Sequence, residues 1–167
     1  MKKMGIILVY ALCSLSCLSL QAQNSLSSAT LKTLKGSFVP FSSIMQKDSL
    51  VLICFWSIAS DATISELNAI QSHYEKWKEA LSFKLMAVCI DEGKALSKLR
   101  PTVNMNEWTF DVYADIRGEL RKALNSNNLP QCMIIHHGFM VYEQSGYEPG
   151  VENYLFQKMR SISNGGQ

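Results

Sequence analysis

The chain of 167 residues contains no CxxC, since its five cysteines stand at positions 13, 17, 54, 89 and 132. That spacing excludes a vicinal dithiol and offers neither a zinc ligand set nor the count of a disulfide framework. Histidine is scarce too, with only His73, His136 and His137. The last two are neighbours in a strand-like run, where successive side chains point to opposite faces, so a shared metal is not expected. A hydrolase triad built on Ser57 or Ser60 lacks a histidine near that turn. No charge of one sign dominates. Lys2 and Lys3 account for the whole surplus of 16 basic over 14 acidic residues. No basic run interleaved with aromatics remains, which leaves nucleic-acid binding without an electrostatic footprint. Internal repeats and low-complexity segments are absent as well.

What is present begins with a targeting segment. Lys2 and Lys3 precede an almost uncharged apolar run from Met4 to Leu20, followed by Gln21, Ala22 and Gln23. This is the charge, length and small-residue exit of a secretory signal peptide, with cleavage expected after Ala22. Two alternatives remain. One is a lipid anchor on Cys17, although Ser14, Leu15 and Ser16 make a poor lipoprotein box; the other is an uncleaved helix, for which the run lies near the lower length limit. Residues 1–22 are therefore assigned to the signal, the Ser-rich 23–30 to an exposed leader, and 31–167 to one domain. A composition 47% hydrophobic supplies one proper core and not two.

That domain is organised around residues 50–67. Leu50 to Trp56 is continuously apolar, which predicts a strand buried on both faces in the middle of a sheet. After a short turn, Ile64, Leu67, Ile70, Tyr74, Trp77 and Leu81 recur every three or four residues and define the inner stripe of a helix. Residues 31–43 read as a hairpin turning at Lys35-Gly36, Ser82 to Ile90 as the next buried strand, and Asp91 to Arg100 as a short helix stopped by Pro101. A short strand is expected at 110–113 and a turn and helix at 115–124. A hairpin over 133–143, turning at His137-Gly138, and a closing helix over 150–162 complete the pattern. The order predicts an α/β sandwich with a central mixed sheet flanked by helices.

Cys54, Cys89 and Cys132 all lie in apolar strand-like runs and read first as small hydrophobes in a core. A sharper reading makes Cys132 a lone reactive thiol. A third pairs two of the three in an oxidising compartment, with parallel neighbours bringing Cys54 near Cys89.

The stretch Phe55-Trp56-Ser57-Ile58-Ala59-Ser60-Asp61-Ala62-Thr63-Ile64-Ser65-Glu66 resembles, without a gap, the FWAxWCxPCxxE signature of the thioredoxin-like envelope thiol-disulfide oxidoreductases. These are the proteins of the TlpA and cytochrome-maturation type, related to AhpC/TSA. Ser60 stands where the attacking thiol would be and Thr63 where the resolving thiol would be. The resemblance continues to Ser161. It implies a three-layer thioredoxin-like sandwich with an N-terminal β-hairpin. It also implies a cis-proline at Pro130, in Asn128-Leu129-Pro130-Gln131, facing the redox positions and shaping a groove for an extended backbone. Glu66 takes the place of an acidic residue that assists proton transfer in cytochrome-maturation relatives. On its own sequence context, Thr63-Ile64-Ser65-Glu66 fits a capping box at the helix start.

Exchange chemistry needs a thiolate attacker and a second sulfur, and neither serine nor threonine ionises near neutral pH without a partnered base. Both are good N-terminal helix residues, so the substitution leaves the helix start intact. The peroxiredoxin variant of the fold fares no better, because its peroxidatic cysteine would fall near Ile64. The expectation is a redox-inactive, periplasmic or otherwise extracytoplasmic binding module without cofactor or metal. Trp56, Ser60, Thr63, Glu66, Leu129 and Pro130 would form its groove for an envelope protein or peptide segment. Its contact with the membrane would be limited to the signal or an anchor at Cys17. The alternative is an oxidoreductase or peroxiredoxin-like protein working through Cys132.

Overall fold

The computed structural model describes residue 26 and residues 28–45 and 50–165. The expected signal peptide, its cleavage site and Cys17 lie outside these residues. Seven strands are present: β1 (Thr30–Thr33), β2 (Phe38–Pro40), β3 (Leu50–Trp56), β4 (Lys84–Cys89), β5 (Asp111–Ala114), β6 (Gln131–His136) and β7 (Phe139–Ser145). They form one sheet in the order β2-β1-β5-β4-β3-β6-β7. β3, β4 and β5 run parallel, and the pairs flanking them are antiparallel, so the sheet is mixed as expected.

Every residue of β3 is buried, because the strand has neighbours on both edges and helices on both faces. Its alternation divides the core in two. Leu52, Cys54 and Trp56 face α2 (Asp61–Ala80), α3 (Leu99–Met105) and α5 (Val151–Gly165), where they meet Leu67, Ile70, Val103 and Leu155. Val51, Ile53 and Phe55 face α1 (Phe41–Ile44) and α4 (Glu119–Ala123), where they meet Phe41 and Leu120. Three layers result. Each fully buried aliphatic or aromatic side chain contributes about 1.5–3 kcal/mol relative to exposure.

The N-terminal hairpin forms over β1 and β2, and Gly36 takes φ +94° in its turn. Just ahead of β1, Ala29 is fully buried and its carbonyl accepts from the Phe41 amide. Pro101 does not stop a helix. The segment ahead of it is a 3-10 turn over Gly93–Lys98, and Pro101 lies in the first turn of α3, where its missing N–H costs no intrahelical bond.

Two capping and turn details also differ from expectation. The N-cap of α2 is Ser60, whose hydroxyl accepts from the Thr63 amide, so Thr63 does not open a capping box and Glu66 falls in the second turn. His136 and His137 do not diverge as two strand residues would. His137 leaves the strand at φ 52°, followed by Gly138 at φ 82°, and its ring comes back to 3.9 Å from that of His136. No group of three or more His, Cys, Asp or Glu able to hold a metal occurs among the described residues.

Candidate functional site

The parallel strands β3, β4 and β5 all end at one edge of the sheet, the edge where open α/β folds keep their binding loops. The turn over residues 57–60 leaves β3 there, and the register Phe55↔Gln131 carries on to set Leu129 and Pro130 beside it. The Leu129-Pro130 peptide bond is cis, and the Pro130 carbonyl accepts from the Gly146 amide.

Hydrogen bonds fix the turn, and they involve the hydroxyls of both Ser60 and Thr63. The Thr63 hydroxyl is completely buried. It lies 2.8 Å from the Ser60 carbonyl and 3.1 Å from the Ser57 carbonyl, and it accepts from the Ser57 amide at 3.3 Å. Its only proton is committed to backbone. Ser60 serves as the cap of α2. On the far side of the turn, Asp91 accepts from the Ser57 hydroxyl and the Ile58 amide, each at 2.7 Å. The Cys89 thiol donates to the same carboxylate at 3.1 Å. Asp91 was not singled out from the sequence as a site residue, yet a signal existed: parallel pairing brings the end of β4 beside the end of β3, and this acid follows β4 by two residues.

The residues expected to form the groove differ in exposure. Trp56, Thr63, Glu66 and Pro130 are buried, and only Ser60 and Leu129 of that set keep partial exposure, beside Ile58 and Ala59. Trp56 forms floor rather than wall, set edge-on to Trp108 at 4.9 Å with its indole N–H unpartnered.

The cysteines correct another expectation. Cys132 is not a lone thiol: Cys54 and Cys132 are joined by a disulfide across β3 and β6, with Cα atoms 4.2 Å apart. Antiparallel register sets these two directly opposite, whereas on the other edge of β3 Cys54 faces Ala87 and Cys89 lies two residues further on. The pair is thus 54 with 132, not 54 with 89. Cys89 remains free and buried, and burial pushes its thiol far above the usual cysteine range, against any nucleophilic role.

Beneath the turn sits Glu66, 1% exposed, with neither carboxylate oxygen hydrogen-bonded. Burial, and then the charge of Glu152 in the first turn of α5, pushes it up to about 7. Glu152 is itself buried and accepts from the Gly150 amide and from Asn153. Sequence reading missed Glu152, which has no local signal, since only the packing of α5 on α2 brings the two acids together.

A three-layer mixed sheet, a helix starting at the end of a buried strand and a cis X-Pro facing that start define a thioredoxin-like protein. The sequence matches the AhpC/TSA family over residues 22–145, and the chain belongs to that family. No match is found among curated proteins. Among solved structures, it is similar to a thioredoxin-like protein of Porphyromonas gingivalis, at 30% identity and a TM-score of 0.73, covering 86% of this chain and 94% of the other. It shares its fold with StoA from Bacillus subtilis, at 21% identity and a TM-score of 0.63, over 77% and 92% of the two chains. A secreted disulfide oxidoreductase of Mycobacterium tuberculosis shares it too, at 11% identity and a TM-score of 0.63, over 83% and 98%.

Proposed function

We propose that this chain is an exported, redox-silent member of its family that binds an extended segment of an envelope protein at the edge formed by residues 57–60 and 127–131. The observation that carries the reading is the state of the two redox positions. Ser60 caps a helix and Thr63 is tied into backbone hydrogen bonds, and neither offers the sulfur that disulfide exchange requires. What is left at that edge is a short turn and a loop whose exposed backbone can pair with a partner strand. Export is supported by the disulfide, a bond that persists in oxidising compartments, and by the likeness to a secreted relative. No described helix is long and apolar enough to cross a membrane.

One observation favours a second reading. Cys132 follows Pro130 by two residues and is already half of a disulfide, so the Cys54–Cys132 bond is itself a candidate redox pair in an oxidoreductase or peroxiredoxin-like protein. Against it, both residues have no solvent exposure, and exchange requires an attacking thiolate to reach a sulfur.

Insulin reduction with dithiothreitol separates the two. Background rates are expected from the wild type; turnover that vanishes in Cys132→Ser would establish the second reading. For binding, a peptide array probed with wild type and with Ala59→Trp, a bulky change at an exposed turn position, should lose its positive spots in the variant. Identical arrays would remove the 57–60 edge as the binding surface.

A further inference from the structure

A basic cavity of about 380 Å³ opens at the same sheet edge, lined by Arg117, Arg121 and Lys122 against a single acid, Glu92. Its walls come from the loops after β4 and β5, from α4 and from the 125–127 segment. Three cations to one anion is a local excess in a chain whose residues beyond the expected signal balance.

The cavity is pre-shaped rather than a loose array of side chains. Arg121 donates from Nε to the Ser126 carbonyl at 2.8 Å, which holds its guanidinium fork in place and leaves the terminal nitrogens for a ligand. Arg117 lies over the Phe38 ring at 5.8 Å and 3.7 Å from Glu119, while Lys122 makes no ion pair among the described residues. Asn125, at φ 53°, offers its side-chain carbonyl to the amide of Asn127, so its own amide remains a donor on the rim. The lining thus presents three cationic donors and the Asn125 amide against the acceptors of Glu92 and Asn127, an excess of donors that suits a carboxylate or phosphate.

Its place in the chain links it to the groove. Asn127 is three residues from Pro130, a reach of at most ~10 Å for extended backbone. The Ser126 hydroxyl is hydrogen-bonded to Gln131 at the start of β6, which clamps the loop between cavity and groove. A strand lying along Leu129 would carry side chains over the cavity within a few residues.

We infer that this cavity takes the carboxylate of an acidic side chain, so that the partner of the edge is an acidic extended peptide. The inference rests on the binding edge proposed above, and it adds the chemical class of the partner. Arg117, Arg121 and Lys122 supply charge-assisted hydrogen bonds. Attraction over the cavity mouth also makes capture sensitive to salt, since the screening length shortens from about 30 Å at 0.01 M to about 8 Å at 0.15 M.

The test uses three short fluorescein-labelled peptides, alternating valine with glutamate, with serine or with lysine, titrated onto the purified protein by anisotropy. The glutamate peptide should bind most tightly and weaken as salt is raised. Lys122→Glu, an exposed change that leaves the fold intact, should weaken it about tenfold while leaving the serine peptide unchanged. Arg121→Gln should act in the same direction. Equal binding of all three peptides, insensitive to Lys122→Glu, would overturn the acidic partner and leave the edge standing. Binding of none would remove the edge itself. Calorimetry with inorganic phosphate supplies the last arm: phosphate that binds at the cavity, with no preference for the glutamate peptide, assigns it to a free anion and overturns the inference.

Discussion

Glu66 keeps a carboxyl group in the core with no hydrogen bond, and that gives the protein a pH response between the acid and the neutral range. Its folded value of about 7 lies above the ordinary 4.5, so the native state binds the proton more tightly than the unfolded chain does. Stability is then highest below about pH 4.5, falls as pH rises from there to about 7, and stays flat beyond, as far as this group is concerned. The loss across that window is on the order of 3 kcal/mol. Urea denaturation at pH 5 and pH 8 should show it, and Glu66→Gln, which stays neutral, should abolish most of the difference. A pH dependence unchanged in that variant would show that another group is responsible. The residue was legible in the sequence as a position matching relatives, but its burial was not. A capping box would have placed it at the helix surface, whereas it lies one turn from Thr63 and Ile70 on the buried face of α2.

At the scale of elements, β3 runs through a short turn into α2, whose start carries Ser60 and Thr63. Ser60 and Thr63 are the N-cap and the third helical residue, positions whose side chains approach one another at a helix start. Ser60→Cys with Thr63→Cys should therefore form a disulfide reducible by dithiothreitol and raise insulin reduction well above the wild-type background. Mass spectrometry under alkylation decides the first point. Failure of the bond to form would mean that the start of α2 does not match that of the oxidoreductases. Strand and helix identities were readable here because periodicity is local: β3 is apolar throughout, and the inner stripe of α2 repeats every three or four residues. Pro101 misled for an equally local reason, since a proline ends one helix and opens another with the same ring, and only the chain's path after it tells which.

Across the whole molecule, the Cys54–Cys132 bond closes a loop of 78 residues between the two strands that carry the halves of the proposed edge. Chain-entropy reasoning for a loop of that size gives a stabilisation of about 4.5 kcal/mol, acting mainly on the unfolded state. Replacing both cysteines with alanine should lower the unfolding free energy by an amount of that order. The wild type unfolded in denaturant and cleared of its signal should titrate one free thiol, Cys89. Three free thiols would show that the bond does not form. The sequence by itself determined the thioredoxin-like class, the succession of strands and helices and the absence of a CxxC pair, because these reside in residue type and short-range spacing. Which cysteine meets which, that Glu66 faces Glu152, and that Glu92 shares a cavity with Arg117, Arg121 and Lys122 were decided only by tertiary structure. Each of those contacts depends on strand register or helix packing between segments distant in the chain, and no local pattern encodes it.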